Sequence, residues 1–220
     1  MELIGHRGCG AIWPENTVRA VRRTARVLPA VEIDVRRCGS GELVCLHDET
    51  VDRTTDGTGP VGEFGLERLQ QLRVANSDAV IPTLEMVLDV VPEETTVQIE
   101  LKEEGIGADV LDLVTNRETV RLSSFSMAAL EEVADGLVPF GYLFRDESGA
   151  VEAAAALGCA TVHPHWRRCV ETDIVDRAHD RGFDVIAWGA KTDPDAVRAA
   201  AAAGVDGITV DRPDLATNDH

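Results

Sequence analysis

The chain has 220 residues and a mass of 23.7 kDa, enough for one large hydrophobic core. It carries 39 acidic and 21 basic residues, a formal net charge of −18 at pH 7. A field of this sign repels nucleic acid and anionic membranes, so neither a nucleic-acid partner nor stable membrane association is expected. The sequence contains no run of about 18 apolar residues, which argues against a membrane-spanning helix.

The basic residues are almost all arginines, since only Lys102 and Lys191 are lysines. Strong acidity with few lysines is typical of proteins from salt-loving microbes, where high salt screens the self-repulsion of an acidic surface. A GC-rich genome is the alternative, but it explains only the loss of lysine and not the excess of acid. A halophilic protein is therefore expected.

The N-terminus, MELIGHRG, lacks the basic start and apolar run of a signal peptide, which predicts a cytoplasmic location. The five cysteines are an odd number without a CxxC pair. Neither a disulfide framework nor a zinc knuckle is expected from them.

Short apolar runs alternate with longer amphipathic segments along the chain, the pattern of an α/β domain. About eight βα units in a chain of this size predict a (β/α)8 TIM barrel in one domain, residues 1–220. The predicted strands are 2–5, 31–35, 43–47, 97–101, 119–123, 138–143, 160–163, 184–188 and 207–210. The predicted helices are 16–28, 65–73, 83–91, 106–116, 126–136, 149–157, 170–182 and 193–203.

One connection departs from the barrel pattern. Only residues 36–42 join the second and third predicted strands, too few for a helical crossover. A hairpin would carry His47 to the wrong end of the barrel, so the sequence predicts an extended return loop. The Gly- and Thr-rich segment 48–80 that follows the third strand predicts a small insertion at the barrel mouth.

Two carboxylates stand two residues apart in the strand VEIDV, Glu32 and Asp34, and therefore point to one face. Two carboxylates on an inward face repel each other and are costly to bury unless a cation holds them. Glu100, at the end of another predicted strand, adds a third. Carboxylate oxygens without nearby cysteines favour Mg²⁺ or Ca²⁺.

Further polar residues are predicted at the same mouth, because barrel enzymes place their chemistry at the carboxyl ends of strands. Arg7 and Lys102 would serve an anionic substrate such as a phosphate. His6 and His47 would suit general acid and base work near pH 7. Each residue alone has a structural alternative; Glu100 and Lys102, for example, could belong to a half-exposed strand.

Several other polar residues are interpreted structurally. Glu15 and Asn16 in PENT are expected to pin the first helix, with the asparagine as its cap. Asp211 begins a turn after the last strand, and His163 and His165 flank a proline as loop or supporting groups.

The ordered motifs resemble those of the glycerophosphodiester phosphodiesterases. They run from Ile4 to Pro213 and read HRG, PENT, EID, HDETVDRTTDGTG, IPTLEMVL, IELK, SFS and GVDGITVDRPD. The resemblance implies a TIM barrel that cleaves glycerophosphodiesters, as small-molecule substrates, to glycerol phosphate and an alcohol through a cyclic phosphate. It also implies an acid–base pair (His6 and His47), ligands of one divalent cation (Glu32, Asp34 and Glu100) and phosphate contacts (Arg7 and Lys102).

The chain departs from the family pattern after its eighth strand, where WGAK replaces the usual WTVN. Trp188 is expected to form an apolar wall for the substrate, while Lys191 stands where an asparagine is usual. Two alternatives remain: a phosphodiesterase acting on lysophospholipids, and a non-catalytic barrel that binds phosphodiesters. The second should have lost a histidine or a carboxylate of the set, and none is missing.

Overall fold

Eight parallel strands close into a barrel in the computed structural model, which describes residues 1–145 and 148–217. The strand order is β1-β9-β8-β7-β6-β5-β4-β2, and β1 pairs with β2 to complete the ring. The predicted (β/α)8 fold is therefore confirmed. The strands are β1 Glu2–Gly5, β2 Ala30–Arg37, β3 Leu43–Cys45, β4 Thr96–Leu101, β5 Val120–Ser124, β6 Phe140–Phe144, β7 Thr161–Pro164, β8 Asp184–Lys191 and β9 Gly207–Val210.

The helices lie between the strands and are shorter than the sequence pattern predicted. Most begin where a side chain caps the first turn, as Thr83 and Asp193 do at two predicted helix starts. No helix among the described residues is long and apolar enough to cross a membrane. The helices are α1 Val18–Thr24, α2 Leu66–Leu69, α3 Leu84–Leu88, α4 Gly107–Val114, α5 Met127–Glu131, α6 Ala150–Leu157, α7 Trp166–Glu171, α8 Ile174–His179 and α9 Pro194–Ala202.

The helix predicted over 170–182 is wrong in its bounds, because the chain breaks at Thr172 into α7 and α8. Thr172 has extended backbone angles, and its hydroxyl accepts a hydrogen bond from the backbone N–H of Ile174. Side chains of this type compete with the helix for backbone groups, which explains the interruption.

Successive side chains of β2 point alternately into the hydrophobic core and into the barrel interior. Val31, Ile33 and Val35 are fully buried in the main core. Glu32 and Asp34 alternate with them and point into the barrel, since successive side chains of a strand face opposite ways. The hydrophobic core thus lies around the barrel, while part of the barrel interior is polar.

The predicted extended loop before His47 is wrong, because β2 and β3 form an antiparallel hairpin in which Val35 pairs with Cys45. β2 continues to Arg37, well past Val31, where its pairing with β1 ends, and β3 pairs with residues 35–37 of this projecting part. The Leu46 N–H then donates to the Asp34 carbonyl at 3.1 Å, so the chain returns to the barrel mouth with His47. A hairpin that turns above the rim delivers His47 to the correct end.

The segment after β3 has an apolar cluster of its own, separate from the main core. It consists of short helical turns, including α2, and of loops that lead to α3. The buried residues of the cluster, two of which come from the hairpin before the segment, are Cys38, Val44, Leu46, Val51, Val61, Leu69, Leu72, Val74 and Ile81.

Candidate active site

Three carboxylates from two adjacent strands meet inside the barrel mouth. Glu32 and Asp34 lie on β2 and Glu100 lies on β4, where it is paired in register with Asp34. All three are buried, and one oxygen of each lies within 4.8 Å of one oxygen of the others. Glu32 Oε1 and Asp34 Oδ1 have no hydrogen-bond partner among the described residues. Buried, unsatisfied carboxylate oxygens that converge in this way fit a divalent cation.

The electrostatics of the cluster would favour a bound cation. Burial, together with the charge of Asp34, raises the pKa of Glu32 to about 8. Burial also opposes ionisation of Asp34, but the charges of Arg7 and Lys102 outweigh it and hold the pKa of Asp34 below its usual range. Arg7 Nε lies 3.1 Å and Lys102 Nζ 3.7 Å from the Asp34 carboxylate. The carboxylates therefore repel one another and are only partly neutralised by the protein.

His6 follows β1 and is oriented by a carboxylate from the other end of the chain. Its Nδ1 lies 2.6 Å from Oδ1 of Asp211, the residue that follows β9. The other ring nitrogen, Nε2, points into the site and lies 4.0 Å from Glu32. Burial lowers the pKa of His6, but the Asp211 hydrogen bond and the charge of Glu32 outweigh it and raise the pKa above its ordinary value.

His47 has an equivalent partner in Asp48. Its Nδ1 lies 2.5 Å from Asp48 Oδ1, and the imidazole is one-third exposed. Burial is the main reason why the pKa of His47 lies below its ordinary value. Each histidine thus has Nδ1 held by a carboxylate, which orients the ring and leaves Nε2 for chemistry.

Arg53, from the segment after β3, connects Asp48 to the first loop. Its guanidinium donates to both oxygens of Asp48, at 2.5 and 3.1 Å, and to both oxygens of Glu15, at 2.9 and 2.8 Å. Glu15 also accepts a hydrogen bond from Arg7 Nη1 at 2.9 Å. The sequence interpretation of Glu15 as a helix anchor missed this network, which ties the support of His47 to Arg7.

Asn16 does not cap α1 as predicted; Thr17 does. Asn16 is buried instead and bonds to Asp34 through both ends of its side-chain amide. Of the two interpretations of His163, loop residue or supporting group, the structure contradicts the first, since His163 is buried in β7 and bonds to Thr161.

The predicted substrate-binding residues surround a pocket of about 230 Å³ at this mouth. Lys102 Nζ lies 2.6 Å from Glu100 Oε1, and the backbone N–H of Arg7 donates to Glu32 Oε2 at 2.9 Å. The indole of Trp188 donates to two backbone carbonyls and meets the ring of Phe125 edge-on at 5.2 Å. Asp34 is fully buried and does not line the pocket. All the other predicted site residues do, namely His6, Arg7, Glu32, His47, Glu100, Lys102 and Trp188.

Residues 6–215 match the model of the Glycerophosphoryl diester phosphodiesterase family. The chain belongs to this family. It is therefore an enzyme, a phosphodiesterase of glycerophosphodiesters, and the resemblance found in the sequence is confirmed.

Three similar proteins match this chain over nearly their whole length. A glycerophosphodiester phosphodiesterase of Caldanaerobacter subterraneus is 31% identical, with 98% of this chain and 96% of the relative aligned. An Oleispira antarctica phosphodiesterase, solved with the product sn-glycerol-3-phosphate, has a TM-score of 0.88 at 26% identity, covering 97% of this chain and 94% of that one. The Thermotoga maritima glycerophosphodiester phosphodiesterase has a TM-score of 0.87 at 25% identity, and the match covers 100% of this chain and 98% of that one.

Proposed function

We propose that this enzyme hydrolyses glycerophosphodiesters to glycerol phosphate and an alcohol by acid–base catalysis between His6 and His47, with one divalent cation. The observation that carries the proposal is the joint presence of two carboxylate-oriented histidines and a buried cluster of three carboxylates at one pocket. The related Oleispira antarctica enzyme, solved with sn-glycerol-3-phosphate, supports a product of this type.

Glu32, Asp34 and Glu100 would hold the cation. When bound, Mg²⁺ or Ca²⁺ supplies Lewis acidity that lowers the pKa of a substrate hydroxyl and offsets negative charge on the phosphate. Arg7 and Lys102 place positive charge beside the same cluster and are proposed to contact the phosphate.

The two histidines would move the protons. In the first step the glycerol 2-hydroxyl oxygen bonds to phosphorus and the bond from phosphorus to the alcohol oxygen breaks. One histidine accepts the hydroxyl proton and the other donates a proton to the departing alcohol. Water then opens the cyclic phosphate with the two roles exchanged, so both histidines return to their starting states.

The site needs both ends of the chain, because His6 follows the first strand and its partner Asp211 follows the last. We therefore propose that residues 1–220 act as one catalytic domain. Loss of either terminal strand would remove one member of the pair.

The test is hydrolysis of glycerophosphocholine, glycerophosphoethanolamine and glycerophosphoglycerol in molar salt, after chelation and again with Mg²⁺, Ca²⁺ or Mn²⁺ restored. We expect chelation to abolish release of glycerol phosphate and a divalent cation to restore it. In Glu100→Gln the cation concentration for half-maximal activity should rise. Undiminished activity after thorough chelation would reject the cation, and a folded protein inactive on all three substrates would point to a larger lipid substrate.

A further inference from the structure

A second cavity of about 410 Å³ adjoins the active-site pocket, and the two share Arg145 and Gly189. Among the residues that the structure describes, its lining holds three arginines and one carboxylate, although the chain as a whole has a net charge of −18. The residues around it, besides Gly189, are Arg145, His165, Trp166, Arg167, Arg168 and Glu171.

Two of these arginines place their guanidinium groups over indole rings. The guanidinium carbon of Arg145 lies 5.0 Å from the centre of the Trp188 ring, and that of Arg167 lies 5.5 Å from the centre of the Trp166 ring. Within residues 1–145 and 148–215, no carboxylate lies within 4.0 Å of Arg145 or Arg167. Arg53, by contrast, is saturated by Asp48 and Glu15. A guanidinium attracted to an aromatic face in this way keeps its N–H groups available for an anion.

A bulge in the backbone of β8 lies between the two cavities. The strand register shifts between Ala187 and Lys191, and Gly189 within this bulge has a φ of +89°. A Cβ on Gly189 would lie 2.6 Å from the His165 ring, so only glycine fits there. This close approach places the rings of His165 and Trp188 edge to face, 4.8 Å apart.

We propose that the second cavity binds the leaving alcohol and selects alcohols that carry a negative charge, such as a second phosphate or a carboxylate. The inference rests on the proposed function, since it assigns the part of the substrate beyond the scissile phosphate. Arg145 stands at the junction of the two cavities, where it can contact a group attached to a phosphate in the first. Planar guanidinium forks match phosphate and carboxylate oxygens in pairs.

The same geometry disfavours a cationic head group such as choline. The face of Trp188 could bind a quaternary ammonium group, but the guanidinium of Arg145 covers it. A cationic alcohol would also meet the positive charge of Arg167 in the second cavity.

The experiment compares glycerophosphoglycerol with its terminal phosphomonoester, which differ only in one phosphate on the leaving alcohol. The wild type should show a kcat/KM about tenfold or more higher for the phosphorylated substrate, mainly through a lower KM. The double variant Arg145→Gln, Arg167→Gln should bring the ratio close to one. Arg167→Gln alone, on an exposed residue that does not contact Trp188, should lower the ratio part of the way.

Arg22→Gln is the matched control, because Arg22 is exposed on α1 and the substitution removes the same charge. It should leave the ratio unchanged. A wild-type ratio near one, or a full preference kept by the double variant, would overturn the subsite while glycerophosphoglycerol is still hydrolysed. If the wild type hydrolyses neither substrate with cations supplied, the proposed function fails and the subsite fails with it.

Discussion

Asn16 and Asp34 hold each other by two reciprocal hydrogen bonds. Asn16 Nδ2 donates to Asp34 Oδ2 at 2.8 Å, and the Asp34 backbone N–H donates to Asn16 Oδ1 at 3.2 Å. Asn16 has a φ of +56°, a left-handed conformation that asparagine tolerates better than most residues. The pair fixes the carboxylate plane and leaves Asp34 Oδ1 without a hydrogen-bond partner among the described residues.

Asn16→Gly should weaken binding of the divalent cation, because Asp34 would lose the partner that orients it. Glycine accepts the left-handed backbone, so the change removes the amide without adding strain. Loss of such a supporting hydrogen bond costs about 10- to 100-fold in metal affinity. Titration of the purified variant with Mg²⁺ or Ca²⁺ measures the effect.

Thr17→Ala is the control for this change, since Thr17 caps α1 next to Asn16 without contacting Asp34. It should lower the free energy of unfolding by about 1 kcal/mol and leave the affinity for the cation as it was. Equal cation affinities in Asn16→Gly and the wild type would show that the amide does not support the site.

His6→Ala and His47→Ala should each reduce kcat by about 10²- to 10⁴-fold, because each removes one of the two proposed proton-transfer groups. Neither ring is needed for the cluster of three carboxylates, so the fold and most of the cation affinity should be kept. Steady-state hydrolysis of glycerophosphoglycerol, with circular dichroism and cation titration alongside, tests both statements. Rates near those of the wild type in both variants would remove the acid–base assignment.

Arg53→Gln should lower kcat more than it changes KM, because Arg53 positions Asp48 and hence His47 from outside the pocket. We expect a loss of about tenfold in kcat. Arg53→Lys keeps the charge but has no planar fork to span Asp48 and Glu15, so it should restore little of the rate. A wild-type kcat in Arg53→Gln would show that the network only stabilises the segment after β3.

His163 should make the protein sensitive to acid. Burial, followed by the charge of Arg121, lowers the pKa of His163 to about 3. Between about pH 6.5 and this value the unfolded chain binds a proton that the folded chain does not, so the free energy of unfolding falls as the pH falls. From pH 7 to pH 4 this one residue should cost about 3 kcal/mol.

The measurement is urea unfolding of the wild type and His163→Gln at pH 7 and pH 4. Glutamine does not titrate, so the loss of stability on acidification should be smaller in the variant by about that amount. The difference between the two proteins separates His163 from the many carboxylates that titrate in both. Equal losses would mean that the histidine is protonated in the folded state.

The local sequence pattern was enough to predict the barrel fold and the inward-facing carboxylates. Alternation with a period of two was enough to place Glu32 and Asp34 on one inward face of β2, and the order of βα units was enough for the barrel. The residues predicted at the mouth do converge there, because the carboxyl ends of parallel strands meet at one end of a closed barrel. These properties depend on neighbours in the chain or on the rule of strand direction.

Tertiary structure alone decided which groups support the site. Asp211 reaches His6 across 205 residues of sequence, and Arg53 reaches Glu15 across 38. The hairpin that returns His47 depends on how far β2 projects beyond β1. Contacts of this kind follow from closure of the barrel and from the exact lengths of its strands, which no local periodicity encodes. The sequence alone therefore predicted the residues that are proposed to do the chemistry, and the closed barrel decided which residues hold and orient them.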